Sequence, residues 1–358
     1  MLRNMAEHGD DQARETIAST LLHSAQIVVQ REYARVERPT DRSTRPLRRL
    51  VYDARHKRTL PGKLVASERT RIIGDIEAKE AFDASGATHH FFFKRFGRNS
   101  IDGRGMPLIS TVHYGRHFDN AMWDGKQMVY GDGDGTVFTR FTSPVDVVAH
   151  ELTHGMTEFE VGLAYHGQPG ALNEHLSDAF GIMVKQHWLG LTAGQSDWYI
   201  GEGLLGPAIQ GKALRSMKAL GTAYDDPILG RDPQPAHMRD YVHSADDNGG
   251  VHINSGIPNH AFYLAATDLG GYAWEVMGEL WYYVLTTTLF PNAGFQDFVN
   301  ATVVAAGDLY GAGRPVQRTV AGAWSQVGLP VPAALVRRQG DGRIRAQKWR
   351  NRPLSLTA

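Results

Sequence analysis

The stretch SPVDVVAHELTHGMTEFE, residues 143–160, decides how the chain reads. Ser143 or Pro144 can open a helix, and the apolar positions that follow support one through Phe159. Inside it His150-Glu151-Leu152-Thr153-His154 forms an H-E-x-x-H pattern. Residues i and i+4 project from one helix face, so the two imidazoles can share an ion while Glu151 lies within reach of a water on it. The bland alternative is a surface helix carrying two unrelated histidines. A catalytic zinc usually takes three protein ligands, so two histidines are one short. Working outward, the next helical pattern contains ALNEHLSDAFG, residues 171–181, and Glu174 within it can be the third. Two antiparallel helices would set this carboxylate opposite the imidazoles. Asp178, one turn further on, can accept the other ring proton of a ligating histidine, and Asn173 can do similar work.

The composition narrows the chemistry to this kind of site. Cysteine is absent, which removes disulfides, thiolate nucleophiles and Cys-ligated zinc, whereas 16 histidines supply other ligands. Hydrophobic residues make up 42% and charged residues 21%, the balance of a folded chain with a sizeable core. Lys+Arg and Asp+Glu are both 38, so no global field draws the protein to nucleic acid or an anionic membrane, and neither is expected as a partner. The start, MLRNMAEHGDDQ, has no basic head followed by an apolar core, and the apolar stretch Trp281–Phe290 is too short to span a bilayer. The expectation is a protein that is cytoplasmic as synthesised, leaving the cell, if at all, by leaderless export.

A length of 358 residues implies about two domains at roughly 150 residues each. Asp10 and Asp11 can cap a helix to about Val29 with Ile17, Leu21, Ala25 and Val28 as its apolar stripe. The Arg/Pro-rich run RVERPTDRSTRPLRRL, residues 35–50, then reads as an exposed linker. From Leu50 to about Phe141, short β-branched and aromatic runs punctuated by glycine read as strands, at Leu50–Tyr52, His90–Phe93, Ile109–Tyr114 and Gln127–Tyr130. Helical patterns dominate thereafter, at Ala171–Trp188, His260–Leu269, Trp274–Leu289 and Gly294–Leu309. The fold class is α+β, divided into a leader (1–49), a β-rich lobe (50–170), a helical lobe (171–334) and a basic tail (335–358).

The motifs NAMWDGKQMVYGDGDG, DVVAHELTHG, ALNEHLSDAFG, LRSM and DNGGVHINSG stand in one order along the chain. In that order and spacing the chain resembles the thermolysin family of zinc metallopeptidases from about Leu50 to Pro332. Its short leader is similar to that of the protealysin group. The resemblance implies a two-lobed fold with the zinc site in the cleft between a β-rich and a helical lobe. It also implies His150, His154 and Glu174 as zinc ligands and Glu151 as general base. By the same matching, His252 hydrogen-bonds the developing oxyanion with Tyr165, Asp247 orients His252, and Arg215 binds the substrate carbonyl. Asn120 and Ala121 match edge-strand positions that hold the peptide backbone. Phe138, Phe141, Val147, Ile200, Leu204 and Leu214 match an apolar pocket for the residue after the cut. The implied activity is a zinc-dependent endopeptidase acting on peptide or protein substrates before bulky hydrophobic residues, made with an inhibitory propeptide. The alternative is a catalytically silent zinc- or partner-binding module on the same fold. One departure concerns calcium: Asp146, Asp197 and Glu202 match carboxylates of thermolysin's paired-calcium site, but Lys185 and Tyr199 stand where two glutamates would be. Calcium is therefore not expected, with Lys185 pairing Asp146 and Glu202 instead.

Overall fold

A computed structural model describes residues 4–5, 11–33, 46–70, 74–116 and 118–336. The basic tail beyond Val336 and the linker at 34–45 lie outside the described residues. The leader helix α1 (Asp11–Tyr33) precedes a five-stranded sheet formed by β1 (Arg49–Asp53), β2 (Lys63–Ser67), β3 (Leu108–Val112), β4 (Ala121–Trp123) and β5 (Met128–Tyr130). The strand order is β2-β1-β3-β5-β4, with β1, β3 and β5 parallel and the outer strands antiparallel to their neighbours. This order leaves β4, with Ala121 at its start, on an edge.

The His90–Phe93 run is helix, not strand. It lies in α2 (Ile76–Phe96), which packs on β1 and β3. Its signals are the Asp75 carboxylate accepting from Ala78 N at 2.9 Å and Gly97 closing the helix at φ 64°. Ala78, Ala81, Ser85, Thr88, Phe91 and Phe92 form its buried face, so helical period outweighs the β-propensity of three adjacent phenylalanines. Arg49, assigned to the leader from sequence, opens β1 opposite Leu108, and the expected boundary at 170/171 falls inside a helix.

Helix α3 (Val145–Glu160) carries the H-E-x-x-H pattern, and α4 (Gly167–Leu189) doubles back on it after residues 161–166. Glycines permit the close approach of α3 to its neighbours. A Cβ at Gly181 would lie 2.8 Å from Asp146 O, and one at Gly155 would lie 2.9 Å from Ile101 and 3.0 Å from Trp123. Every residue of α4 from Gly170 to Gln186 is buried, the signature of a central helix. Around it pack α5 (Asp247–Asn254), α6 (Gly256–Leu269), α7 (Ala273–Thr287) and α8 (Phe295–Tyr310), with α9 (Pro315–Gln326) against α6 and α8. One apolar core runs through both lobes, from Val51 of β1 to Trp324 of α9. Among the described residues no helix is long and apolar enough to cross a membrane.

The leader helix buries Thr16, Ile17 and Thr20, whereas Leu21 and Ala25 of the expected stripe are exposed. Val28 lies outside the described side chains. The docking face is polar because its partners are: Thr20 Oγ1 accepts from Asp119 N at 3.2 Å, Arg58 donates to Ser19 Oγ at 2.7 Å, and Asn120 Nδ2 donates to Ser24 Oγ at 3.0 Å.

Candidate metal centre

Adjacent turns of α3 bring His150 and His154 together with their Nε2 atoms 3.0 Å apart, and α4 sets Glu174 against both at 3.4 Å. All three side chains are buried, and their potential ligand atoms lie within 4.8 Å of one another. The outer nitrogens are tied off. His150 Nδ1 lies 2.9 Å from Asp178 Oδ1, and His154 Nδ1 lies 2.8 Å from Asn173 Oδ1 and 3.1 Å from Ser177 Oγ. A ring proton on Nδ1 leaves an Nε2 lone pair facing inward, so these contacts select the ligating tautomer. Glu174 Oε2 is buried without a hydrogen-bond partner among the described residues, an expensive arrangement unless a cation accepts its lone pairs. Burial opposes a charge on His150, yet the carboxylates of Asp178 and Glu174 outweigh it and raise its pKa to about 10. Two imidazoles and a carboxylate form the donor set of an open zinc site, and the residues fit that ion.

Asp178 is the hinge of the network. Besides His150 it accepts from Arg215 Nε at 3.0 Å and Nη2 at 2.8 Å and from Asn259 Nδ2 at 2.8 Å. Burial works against its charge, but Arg215 and His150 hold the carboxyl below its ordinary range. Asn259 and Ser177 were not singled out from sequence. Ser177 stands inside the ALNEHLSDAFG motif, between Glu174 and Asp178, whereas Asn259 belongs to no quoted motif and only packing of α6 on α4 brings it to Asp178.

The other side of the cleft comes from α5 and the residues before α4. Asp247, Asn248, Gly249 and Gly250 all have positive φ, between 50° and 83°, a run that D-N-G-G tolerates better than most sequences. The curl turns Asp247 back onto His252: its Oδ2 accepts from His252 N at 2.9 Å and its Oδ1 lies 2.5 Å from Nδ1. His252 Nε2 faces Tyr165 Oη at 3.2 Å and Glu174 Oε1 at 3.6 Å, and Tyr165 also donates to Glu174. Loss of hydration lowers the His252 pKa, but Glu174 and Asp247 prevail and raise it to about 9.

Glu151 accepts from Trp123 N at 3.2 Å, which joins the pattern on α3 to the edge strand β4. At the head of that strand Asn120 Oδ1 accepts from Ala121 N at 2.9 Å. Of the matched pocket residues, Phe138 and Phe141 have ring centroids 5.4 Å apart, Thr139 N bonds Leu204 O at 2.8 Å, and Leu214 N bonds Ile200 O at 3.0 Å. All but Leu214 are buried in the main core with Val147. The structure therefore gathers the six as apolar packing.

The expected Lys185–Asp146 pair is corrected. Lys185 Nζ donates to Asp197 at 3.0 and 3.1 Å, Glu202 at 3.1 Å and Tyr199 O at 3.2 Å. Asp146 Oδ2 is taken by Gly201 N at 2.8 Å and acts on the ammonium only through its charge.

Comparison with known proteins agrees with this geometry. Residues 33–158 match "Thermolysin metallopeptidase, catalytic domain" and residues 161–329 match "Thermolysin metallopeptidase, alpha-helical domain". An "Extracellular metalloprotease" of Pectobacterium carotovorum subsp. carotovorum is 49% identical over 332 residues, 92% of this chain and 95% of that protein. An "Extracellular minor metalloprotease" of Serratia marcescens is 50% identical over 194 residues, 54% of this chain and 55% of that protein. The solved structure "Precursor of Protealysin, Metalloproteinase from Serratia proteamaculans" superposes with a TM-score of 0.83 at 49% identity, covering 92% of this chain and 97% of the other. These relatives correct the expectation of cytoplasmic residence, because proteins this similar are named extracellular and point to secretion. With matching domains on both sides of the metal centre and 49% identity across 92% of the chain, the protein belongs to the thermolysin family of metallopeptidases.

Proposed function

We propose that the chain is the precursor of a zinc-dependent endopeptidase that cuts proteins or peptides before bulky hydrophobic residues. The observation that carries this reading is the convergence of His150 Nε2, His154 Nε2 and Glu174 on one buried point with their outer contacts satisfied. In this reading His150, His154 and Glu174 hold the zinc, with Asp178 and Asn173 orienting the imidazoles. When bound there, zinc supplies Lewis acidity that makes a water nucleophilic near neutral pH and polarises the scissile carbonyl. Glu151 takes the proton of the attacking water and returns it to the leaving amine. His252 and Tyr165 donate to the carbonyl oxygen as it becomes negative, and Asp247 positions His252 for that donation. Arg215 braces Asp178 and, in this reading, binds the substrate carbonyl. Asn120 and Ala121 offer the polar groups of an unpaired edge, where an extended peptide can add as a strand. The apolar character of Phe138, Phe141, Val147, Ile200, Leu204 and Leu214 favours an apolar side chain after the cut.

The leader supports the precursor reading. Ser24 takes the Asn120 amide proposed for substrate. In the helical lobe, Asn4 packs so closely on Gly230 that a Cβ there would lie 2.4 Å from Asn4 Nδ2, and Met5 is buried. In this reading the leader acts as an intramolecular inhibitor whose removal frees the Asn120 amide for substrate.

A variant separates binding from chemistry. Glu151→Gln should keep zinc through dialysis and lose nearly all cleavage of a blocked dipeptide, while His150→Ala should lose the metal too. Equal loss of zinc and activity in Glu151→Gln would contradict the role of base. A processed wild-type chain that binds zinc without cleaving would favour the silent module. His252→Ala should cost about 100- to 1000-fold in turnover.

A further inference from the structure

A second set of potential ligands gathers away from the cleft, at the carboxyl ends of the three parallel strands. The turns leaving β1, β3 and β5 carry His56, His113 and Asp132, and the start of α2 faces them with Asp75 and Glu77. The turns are tied by their backbones: His56 N donates to His113 O at 2.8 Å, and Tyr114 N donates to Tyr130 O at 3.0 Å. Both histidines stand on left-handed backbone, His56 at φ 55° and His113 at φ 54°.

The Asp132 carboxylate bridges the two imidazoles. His113 Nδ1 lies 2.8 Å from Oδ1 and His56 Nδ1 lies 3.2 Å from Oδ2, and the three ligand atoms fall within 4.8 Å of one another. Around a tetrahedral ion with bonds of about 2.0–2.2 Å, ligand atoms are separated by about 3.3–3.6 Å, so the contacts of 2.8 and 3.2 Å would open by a few tenths of an ångström to admit the ion. The far nitrogen of His113 faces Asp75 Oδ2 at 3.2 Å, the carboxylate–histidine relation that fixes a ligating ring in register. Ion pairs of His113 with Asp132 and Asp75 do not need His56, whereas a metal site uses all four residues.

We propose that His56, His113 and Asp132 form a second metal site for a divalent ion of the zinc and copper class, with Asp75 positioning His113. Two imidazoles and one carboxylate suit such ions better than calcium or magnesium. The bound ion replaces the proton on His113 Nδ1, which passes to the buffer, and Nε2 keeps its proton toward Asp75. Open coordination positions face outward, because the His56 side chain is 48% exposed. The ion would clamp the three turns that end the parallel strands, one of which leads through Gly131 N to Asn120 O at the substrate edge.

The test is a zinc titration of the full-length Glu151→Gln chain after dialysis, with Zn²⁺ as the probe and bound metal and melting temperature as readouts. The expected result is one further zinc beyond the metal retained through dialysis, with a zinc-dependent rise in melting temperature. His56→Ala, at a half-exposed position, should fold normally, keep the dialysis-resistant metal and lose both effects. Asp75→Asn should weaken the added zinc by about 10- to 100-fold. Absence of a further zinc, or one that His56→Ala leaves unchanged, would overturn the proposal and leave His113 as an ion-paired histidine.

Discussion

His175 follows Glu174 directly and points the other way. Its Nδ1 lies 2.8 Å from Asn259 Oδ1, and its Nε2 accepts from Trp281 Nε1 at 2.8 Å, so the ring is neutral with its proton on Nδ1. Burial lowers its pKa to about 4. His150 is equally hidden, but its partners are carboxylates, so neighbouring charge rather than depth separates a core histidine from a cation pocket. Asp119 provides a test at this scale. It is 3% exposed, and neither carboxylate oxygen has a hydrogen-bond partner among the described residues. Burial, helped by the Asp134 charge, raises its pKa to about 7 from the ordinary 3.8. A folded chain that holds this proton when the unfolded chain has released it loses stability as pH rises across that window, by about 1.4 kcal/mol per pH unit for this group. Above pH 7 the loss is complete. Asp119→Asn should therefore melt higher than its parent at pH 8, with the difference shrinking toward pH 5. Thermal melts of the two chains in a Glu151→Gln background check this, and a gap independent of pH would contradict it.

At the scale of elements, the pair α3 and α4 is legible because an amphipathic period, a spaced metal pattern and a following helical pattern that carries Glu174 agree. Helix α2 reads as a strand at Phe91, Phe92 and Phe93 when these are judged alone, although Asp75 and Gly97 mark the helix ends. The loop after α4 carries the calcium departure. Lys185 is only 10% exposed and joins α4 to Asp197, Tyr199 O and Glu202. An ammonium already in contact with two carboxylates leaves little negative charge to attract calcium. A calcium-selective chelator should leave the melting temperature unchanged, and a marked fall would refute the replacement. Lys185→Ala should destabilise by about 1–3 kcal/mol. That is less than a fully buried pair because Asp197 and Glu202 are 31% and 50% exposed, and it can be read by denaturant melts.

At the scale of the molecule, the leader touches the sheet-bearing lobe through α1 and the helical lobe through Asn4, so it bridges the two lobes. On incubation the wild type should shorten to begin between about Arg38 and Leu47, since Leu47 packs on the core and β1 starts at Arg49. Activity should rise in step, and Glu151→Gln should stay full length. Ile17 is fully buried, and a truncation such as Ile17→Ala typically costs about 2–5 kcal/mol, so this variant should activate sooner. Terminal sequencing alongside a peptidase time course measures both. Full activity in a chain that stays intact would show that the leader restrains nothing.

Features that depend on local spacing are legible in the chain before it folds. Two histidines four residues apart on a helix, a carboxylate in the next helical pattern and the DNGGVHINSG run around His252 are short-range patterns, and they point to the candidate metal ligands and the family. Features that depend on docking emerge only in the folded chain. Asn259 meets Asp178 across 81 residues, Lys185 takes Asp197 rather than Asp146, α1 buries Ile17 with its hydroxyls rather than its leucines, and three separate turns bring His56 and His113 onto Asp132. Each of these contacts joins segments whose relative position is set by packing of the whole chain, so no period or motif within either segment announces the partner.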